Sequence, residues 1–144
     1  EWDVIIEKTC VFAWVGVCAS ENFNYETWAG EQPTGWVLGS SGYCYSNDEG
    51  INYCLPFKLD GAKITVHLDM NKKTLAFTVN GTKYQELSCD NLPSKVYPAV
   101  SLNQFGQIRI QPHKRILQKP INLKNMLAIF LEYIRCMAGL FMTT

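Results

Sequence analysis

Hydrophobic and polar residues alternate most regularly over residues 63–81. Ile64, Val66, Leu68 and Met70 are interleaved with Thr65, His67 and Asp69, and Leu75, Phe77 and Val79 with Ala76, Thr78 and Asn80. A period of two sends alternate side chains to opposite faces, so the pattern predicts two antiparallel strands with one dry face and one wet face. The polar stretch around Asn71, Lys72 and Lys73 is the reversal between them. Asn80 and Gly81 both tolerate positive φ and predict a second tight turn, with a third strand over residues 83–87.

The same reading extends along the chain. Residues 2–7 and 11–19 predict an amino-terminal hairpin around Lys8 and Thr9, and residues 36–38 and 43–45 a second hairpin turned by Gly39, Ser40, Ser41 and Gly42. Residues 46–53 read as a polar loop. A strand over 96–102 carries Pro98, which removes a ladder donor and so marks an edge or a bulge; residues 107–111 form the last strand. About ten short strands with no internal helix predict a two-sheet sandwich. Between the first two hairpins, residues 21–35 have no period but hold Phe23, Tyr25 and Trp28, large rings on a loop suited to recognition or to folding back as a lid.

The pattern changes after Pro112 and Pro120. Leu123, Leu127, Phe130, Ile134, Met137 and Phe141 recur at steps of three and four, which predicts an amphipathic helix over 122–142 with Glu132 and Arg135 paired on one face. Its apolar run, 126–142, falls short of a spanning length and contains those two charges. A helix docked on the sandwich or on another chain is therefore preferred over a membrane helix, and a tail foreign to the domain is the third reading. The expected organisation is a sandwich over 1–111 and an extension over 112–144.

Composition narrows the function. With 144 residues there is material for one core. The 13 basic and 13 acidic side chains cancel, and no basic run offers a footprint for a phosphate backbone, so no nucleic-acid partner is expected. The chain shows no secretory signal; it opens on Glu1 rather than Met, and an upstream segment stays open. The cysteines at 10, 18, 44, 54, 89 and 136 include no C-x-x-C pair, which removes the usual zinc and thioredoxin spacings. Free buried thiols of an intracellular, cytoplasmic protein are preferred over a disulfide framework, with Cys44–Cys54 as the pair a loop could bring together.

Candidate chemistry is sparse. Asp48, Glu49 and Asp60 lack calcium-loop spacing, and no cofactor is implied. His67 and Asp69 share a strand face without a nucleophile signature beside them, so they read as solvent-facing polar positions, and His113 as part of a solvated basic turn. Asn80-Gly81-Thr82 fits a glycan acceptor pattern but is already explained by the turn. Trp14, Trp36, Phe77 and Tyr97 are expected in the core.

An ordered set of motifs carries a resemblance. Trp14 to Val17, then Trp36-Val37-Leu38 with Gly42-Tyr43 and Tyr45, then Leu68-Asp69, Thr74-Leu75-Ala76-Phe77 and Asn80-Gly81, then Leu92-Pro93 and the run from Val96 to Leu102 follow one another as in SPRY domains. The set spans residues 2–110, and its specificity comes from being distributed. The resemblance implies a bent, antiparallel two-sheet β-sandwich of the concanavalin-like jelly-roll type, acting as a protein-interaction module without catalytic residues. Relatives occur in ubiquitin-ligase substrate adaptors, tripartite-motif proteins, intracellular channels and scaffold proteins.

In adaptor-type relatives a peptide lies at one end of the sandwich, against positions that fall on Tyr45, Phe105 and Gly106 here. Residues 103–105 differ from that pattern by one residue, and the strand and loop that precede the pattern in those relatives are not present before Glu1. With the loop aromatics Tyr25 and Trp28, these residues make the expected partner-binding set, and the expected partner is a protein or short peptide. The rival from another class is a lectin-like sandwich in which Tyr25 and Trp28 stack on a sugar ring, since fold alone does not fix function.

Overall fold

A computed structural model describes residues 1–8, 11–19, 24, 26–102 and 105–114. All but Lys114 belong to the compact unit Glu1–His113; the predicted helix over 122–142, Cys10, Cys136, Phe23 and Tyr25 lie outside the described residues. The strands are β1 (Trp2–Lys8), β2 (Ala13–Cys18), β3 (Gly35–Gly39), β4 (Tyr43–Ser46), β5 (Glu49–Asn52), β6 (Lys63–Asp69), β7 (Thr74–Val79), β8 (Thr82–Lys83), β9 (Leu87–Ser88), β10 (Tyr97–Leu102) and β11 (Gln107–Pro112). One antiparallel sheet has the order β11-β1-β6-β7-β8, with β9 also paired to β7; the other has the order β10-β2-β3-β4-β5. The two sheets enclose one core, as the strand-rich pattern predicts.

The opening alternation holds on the dry side. Ile64, Val66, Leu75, Phe77 and Val79 are buried, and β6 pairs with β7 from Ile64↔Val79 to Asp69↔Thr74. Asp69 fixes the reversal by accepting from the N–H groups of Asn71 and Lys72, both at 3.0 Å. At the next turn Asn80 and Gly81 stand at φ 48° and 89°, the left-handed region that a β-carbon penalises and Asn and Gly tolerate. Asn80 Oδ1 accepts from the Lys63 N–H at 3.0 Å, so the side chain ties this turn to the start of β6.

Several sequence expectations change. Residues 2–7 and 11–19 do not form a hairpin: β1 pairs with β6 and β11, whereas β2 crosses to the other sheet between β10 and β3. Local turn signals cannot distinguish a hairpin from a crossover between layers, because both join two strands through a short polar break. Residues 46–53 are not simply a loop. Asn47 and Asp48, at φ 53° and 60°, turn β4 into β5, whose residues are all exposed. The third meander strand is split into β8 and β9, and Tyr84 keeps contact between them by donating its N–H to Phe77 O at 3.0 Å. Pro98 sits in β10, at the edge of its sheet as its missing N–H requires.

Trp36 and Phe77 are core residues, while Trp14 is half-buried and Tyr97 is exposed, its ring beneath the Lys95 ammonium. Alternation supplies the reason: Ala13, Val15 and Val17 take the inner face of β2, which leaves Trp14 outside. Across the core, Tyr53 bonds through its hydroxyl, donating to Gln85 O at 2.8 Å and accepting from the Phe77 N–H at 3.0 Å. Burial, only partly offset by the bond from Phe77, pushes the phenol up to about 12. Cys18, Cys44, Cys54 and Cys89 are buried and free. Burial pushes each of these thiols up, away from the reactive thiolate.

Candidate recognition surface

The outer face of the five-stranded sheet carries a strip of aromatic rings. Trp14 of β2 lies between Phe12, with ring centroids 5.8 Å apart, and Trp28, at 4.9 Å. Trp28 meets Tyr45 of β4 edge-on at 5.0 Å, and Tyr45 in turn lies 6.3 Å from Tyr43. Offset and edge-to-face contacts of this kind stabilise a ring cluster beyond its buried area. The middle of the strip is half-buried and its ends are open, with Phe12 at 50% and Tyr43 at 40% exposure.

Trp28 reaches this position because its loop folds back onto the sheet. It leads into a single 3-10 turn, Ala29–Glu31, and the Ala29 N–H donates to Ser101 Oγ of β10 at 2.9 Å. The Asp48 N–H donates to Gly30 O at 2.8 Å, tying the same turn to the β4–β5 reversal. Gly30 has no space for a β-carbon, which would stand 2.0 Å from Trp28 Cζ3 and 2.6 Å from Tyr45 Cβ. Gln32, buried, works like a piece of backbone: its Nε2 donates to Asn24 O at 2.8 Å and its Oε1 accepts from the Asn24 N–H at 2.7 Å.

The structure therefore joins two of the expected partner-binding residues, Trp28 and Tyr45, through direct ring contact. Phe105 belongs to another patch, in the turn between β10 and β11, where it is 82% exposed and the Lys8 ammonium lies 5.9 Å from its ring centroid. Gly106 beside it is half-buried. Tyr25 lies outside the described residues. Sequence reasoning missed Phe12 and Gln32 and assigned Trp14 to the core. The signal for Trp14 was the parity of β2; a buried glutamine amid turn formers had none.

The outer face of the six-stranded sheet is polar and closed on itself. Asp3, buried, accepts from Thr65 Oγ1 at 2.7 Å, Lys63 Nζ at 3.0 Å and His113 Nδ1 at 2.7 Å. Burial pushes its carboxyl up, but these three donors outweigh that and hold it at about 2. His67 bonds to Glu1 Oε1 at 3.0 Å and to Thr78 Oγ1 at 2.8 Å, with the His113 ring 6.2 Å away. His67 is thus engaged by neighbouring side chains rather than simply solvent-facing, His113 bonds Asp3 rather than standing in a solvated turn, and the predicted wet face is partly dry: Thr65 and Ala76 are 3% and 1% exposed. Among the described residues no group of three or more His, Cys, Asp or Glu side chains is placed to hold a metal ion, and no helix is long and apolar enough to cross a membrane.

The solved structures similar to this chain include two SPRY domains. The SPRY domain of human HERC1 superposes with a TM-score of 0.67 at 22% identity, over 78% of this chain and 74% of that one. A second human SPRY domain gives a TM-score of 0.62 at 17% identity, over 76% of this chain and 74% of the other. At these identities the likeness shows the fold. The SPRY domain family model matches residues 1–113, the unit that holds both sheets and the aromatic strip. Domains of this kind are generally non-catalytic protein-interaction modules. By that match over most of its length, the chain belongs to the SPRY domain family.

Proposed function

We propose that the domain captures a short peptide or a partner surface on the aromatic strip that covers the outer face of the five-stranded sheet, as a substrate-recruiting adaptor or scaffold module inside the cell. The observation behind this reading is the unbroken ring contact from Phe12 through Trp14, Trp28 and Tyr45 to Tyr43, held by sheet hydrogen bonds and open at both ends. Rings fixed by a scaffold lose little conformational freedom on binding, which is why aromatic anchors dominate interface energetics. Phe105 supplies a second exposed anchor beside Lys8. The buried free thiols suit a reducing compartment.

Pull-down from cell extract with the domain and with its Tyr45→Ala/Phe105→Ala variant tests the reading. Each anchor is expected to contribute on the order of 2 kcal/mol. A folded double variant that retains every captured protein at the parent's affinity removes both residues from the surface. A glycan array run in parallel decides against the lectin-like alternative if it stays blank while a peptide array is bound.

A further inference from the structure

Away from the aromatic strip, residues of the two sheets' edge strands line a cleft of different chemistry. The cleft, of about 450 Å³, runs between β4 and β5 on one side and β9 with residues 89–91 on the other. Trp36, Cys44, Leu75 and Leu87 give it an apolar floor, and Ile51, 52% exposed, forms part of its mouth. Among the described residues, the charged ones in its lining are Glu49 and Asp90, with no Lys, Arg or His. Ser88 Oγ donates to Asp90 Oδ1 at 2.7 Å, which orients that carboxylate.

The strand beside the cleft is an edge strand. β5 closes the order β10-β2-β3-β4-β5. Asn47 and Asp48 form a two-residue reversal, so Ser46↔Glu49 is the pair that closes the ladder, and Cys44↔Ile51 is the next hydrogen-bonded pair. The N–H and C=O groups of Gly50 and Asn52 then point away from β4, off the sheet edge. Glu49 and Ile51, two residues apart, send their side chains to the cleft.

We propose that this edge and cleft together bind an extended peptide segment by strand addition to β5, with an apolar residue opposite Ile51 and a Lys or Arg two positions away opposite Glu49. Main-chain bonds to Gly50 and Asn52 hold the segment, and alternate side chains enter the cleft. The apolar one covers Leu87 and Trp36. The basic one lays its methylene stem on the floor and brings its cation to Glu49 and Asp90. A ligand with acidic residues at these positions meets two carboxylates and no cation. This site lies beyond the aromatic reading and shares only Tyr45 with it, so its test relies on Glu49 and Asp90.

The experiment uses two acetylated, amidated pentapeptide pools with alternate positions fixed as Leu-x-Lys or Leu-x-Glu, titrated into the isotope-labelled full chain. The Leu-x-Lys pool is expected to move the amides of residues 49–52 and 88–91 saturably and to slow amide exchange at Gly50 and Asn52, while the Leu-x-Glu pool binds roughly tenfold more weakly. Glu49→Lys with Asp90→Lys should reverse the preference, with unmoved β6 and β7 amides showing that the variant is folded. Equal response to both pools, no response to either, or shifts that leave Gly50 and Asn52 unprotected overturns the proposal. Variants of Phe105 and Trp28 read the aromatic surface independently, so the two readings fail separately.

Discussion

The outer faces of the two sheets arise from the same alternation and end in opposite chemistry. On the six-stranded sheet the outward polar residues include Asp3, Lys63, Thr65, His67 and Thr78, and they satisfy one another. On the five-stranded sheet they are Trp14, Tyr43 and Tyr45, with Trp28 laid over them, and they end in exposed rings. Hydrogen bonds saturate: once Asp3 has three donors its face gains little from a further partner. Apolar rings do not saturate, since any exposed ring still gains from losing water. Polarity thus makes one face structural, and aromaticity leaves the other available for binding.

The contrast breaks most forcefully at Asp3. Asp3→Ala leaves Thr65 and His113 without the buried acceptor that both address, and the expected loss is about 3 kcal/mol in urea denaturation. Lys63, half exposed, regains water and adds little. A loss below about 1 kcal/mol places the stability of this face elsewhere, in strand pairing alone.

The same carboxyl makes the polar face sensitive to acid. A folded value of about 2 against an ordinary 3.8 means that the folded state favours the charged form. The resulting stabilisation, about 2 kcal/mol, is complete above the unfolded value and disappears as pH falls through the folded one. Denaturation midpoints taken from pH 5 down to pH 2 should fall accordingly, and Asp3→Asn should flatten that part of the curve. Parallel curves for the two proteins assign the acid response to other carboxylates.

On the aromatic face the corresponding weak point is Gly30. A methyl group there meets Trp28 and Tyr45 within 2.6 Å, so Gly30→Ala must push the indole aside. Overpacking of this size costs about 1–3 kcal/mol. The expected signature is a changed near-ultraviolet circular dichroism spectrum with the sheet signal kept, together with weaker partner capture. An unchanged aromatic spectrum separates Trp28 from the strip.

Much of this architecture was legible in the sequence, and the gaps have physical causes. Ile64 to Val79 declared their strands because local alternation and local turn residues decide them together. The separation of β1 from β2 depends on contacts with β6, β10 and β11, far away along the chain, so no local signal carries it. The burial of Thr65 had the same origin, since its partner Asp3 is 62 positions away. Among the binding candidates, ring content pointed to Trp28 and Tyr45. Their contact depends on Gln32 and Ser101, polar residues that look like ordinary loop and strand positions until the fold brings them beneath the loop.

Phe105 sharpens the comparison from the side of smallest structural effect. At 82% exposure it takes no part in the core, and its one described ring neighbour is the Lys8 ammonium at 5.9 Å, where an exposed cation–π contact stabilises by about 0.5–1 kcal/mol at most. Phe105→Ala should therefore change unfolding stability by less than about 0.5–1 kcal/mol, against the larger losses at Asp3 and Gly30. Its effect on partner capture should be several times greater, because a ring left in water by the folded domain has its gain from burial still to come. Paired measurements of stability and capture on this variant separate the two roles. A ring kept for recognition loses binding without losing fold, whereas one that packs the β10–β11 turn loses both in proportion.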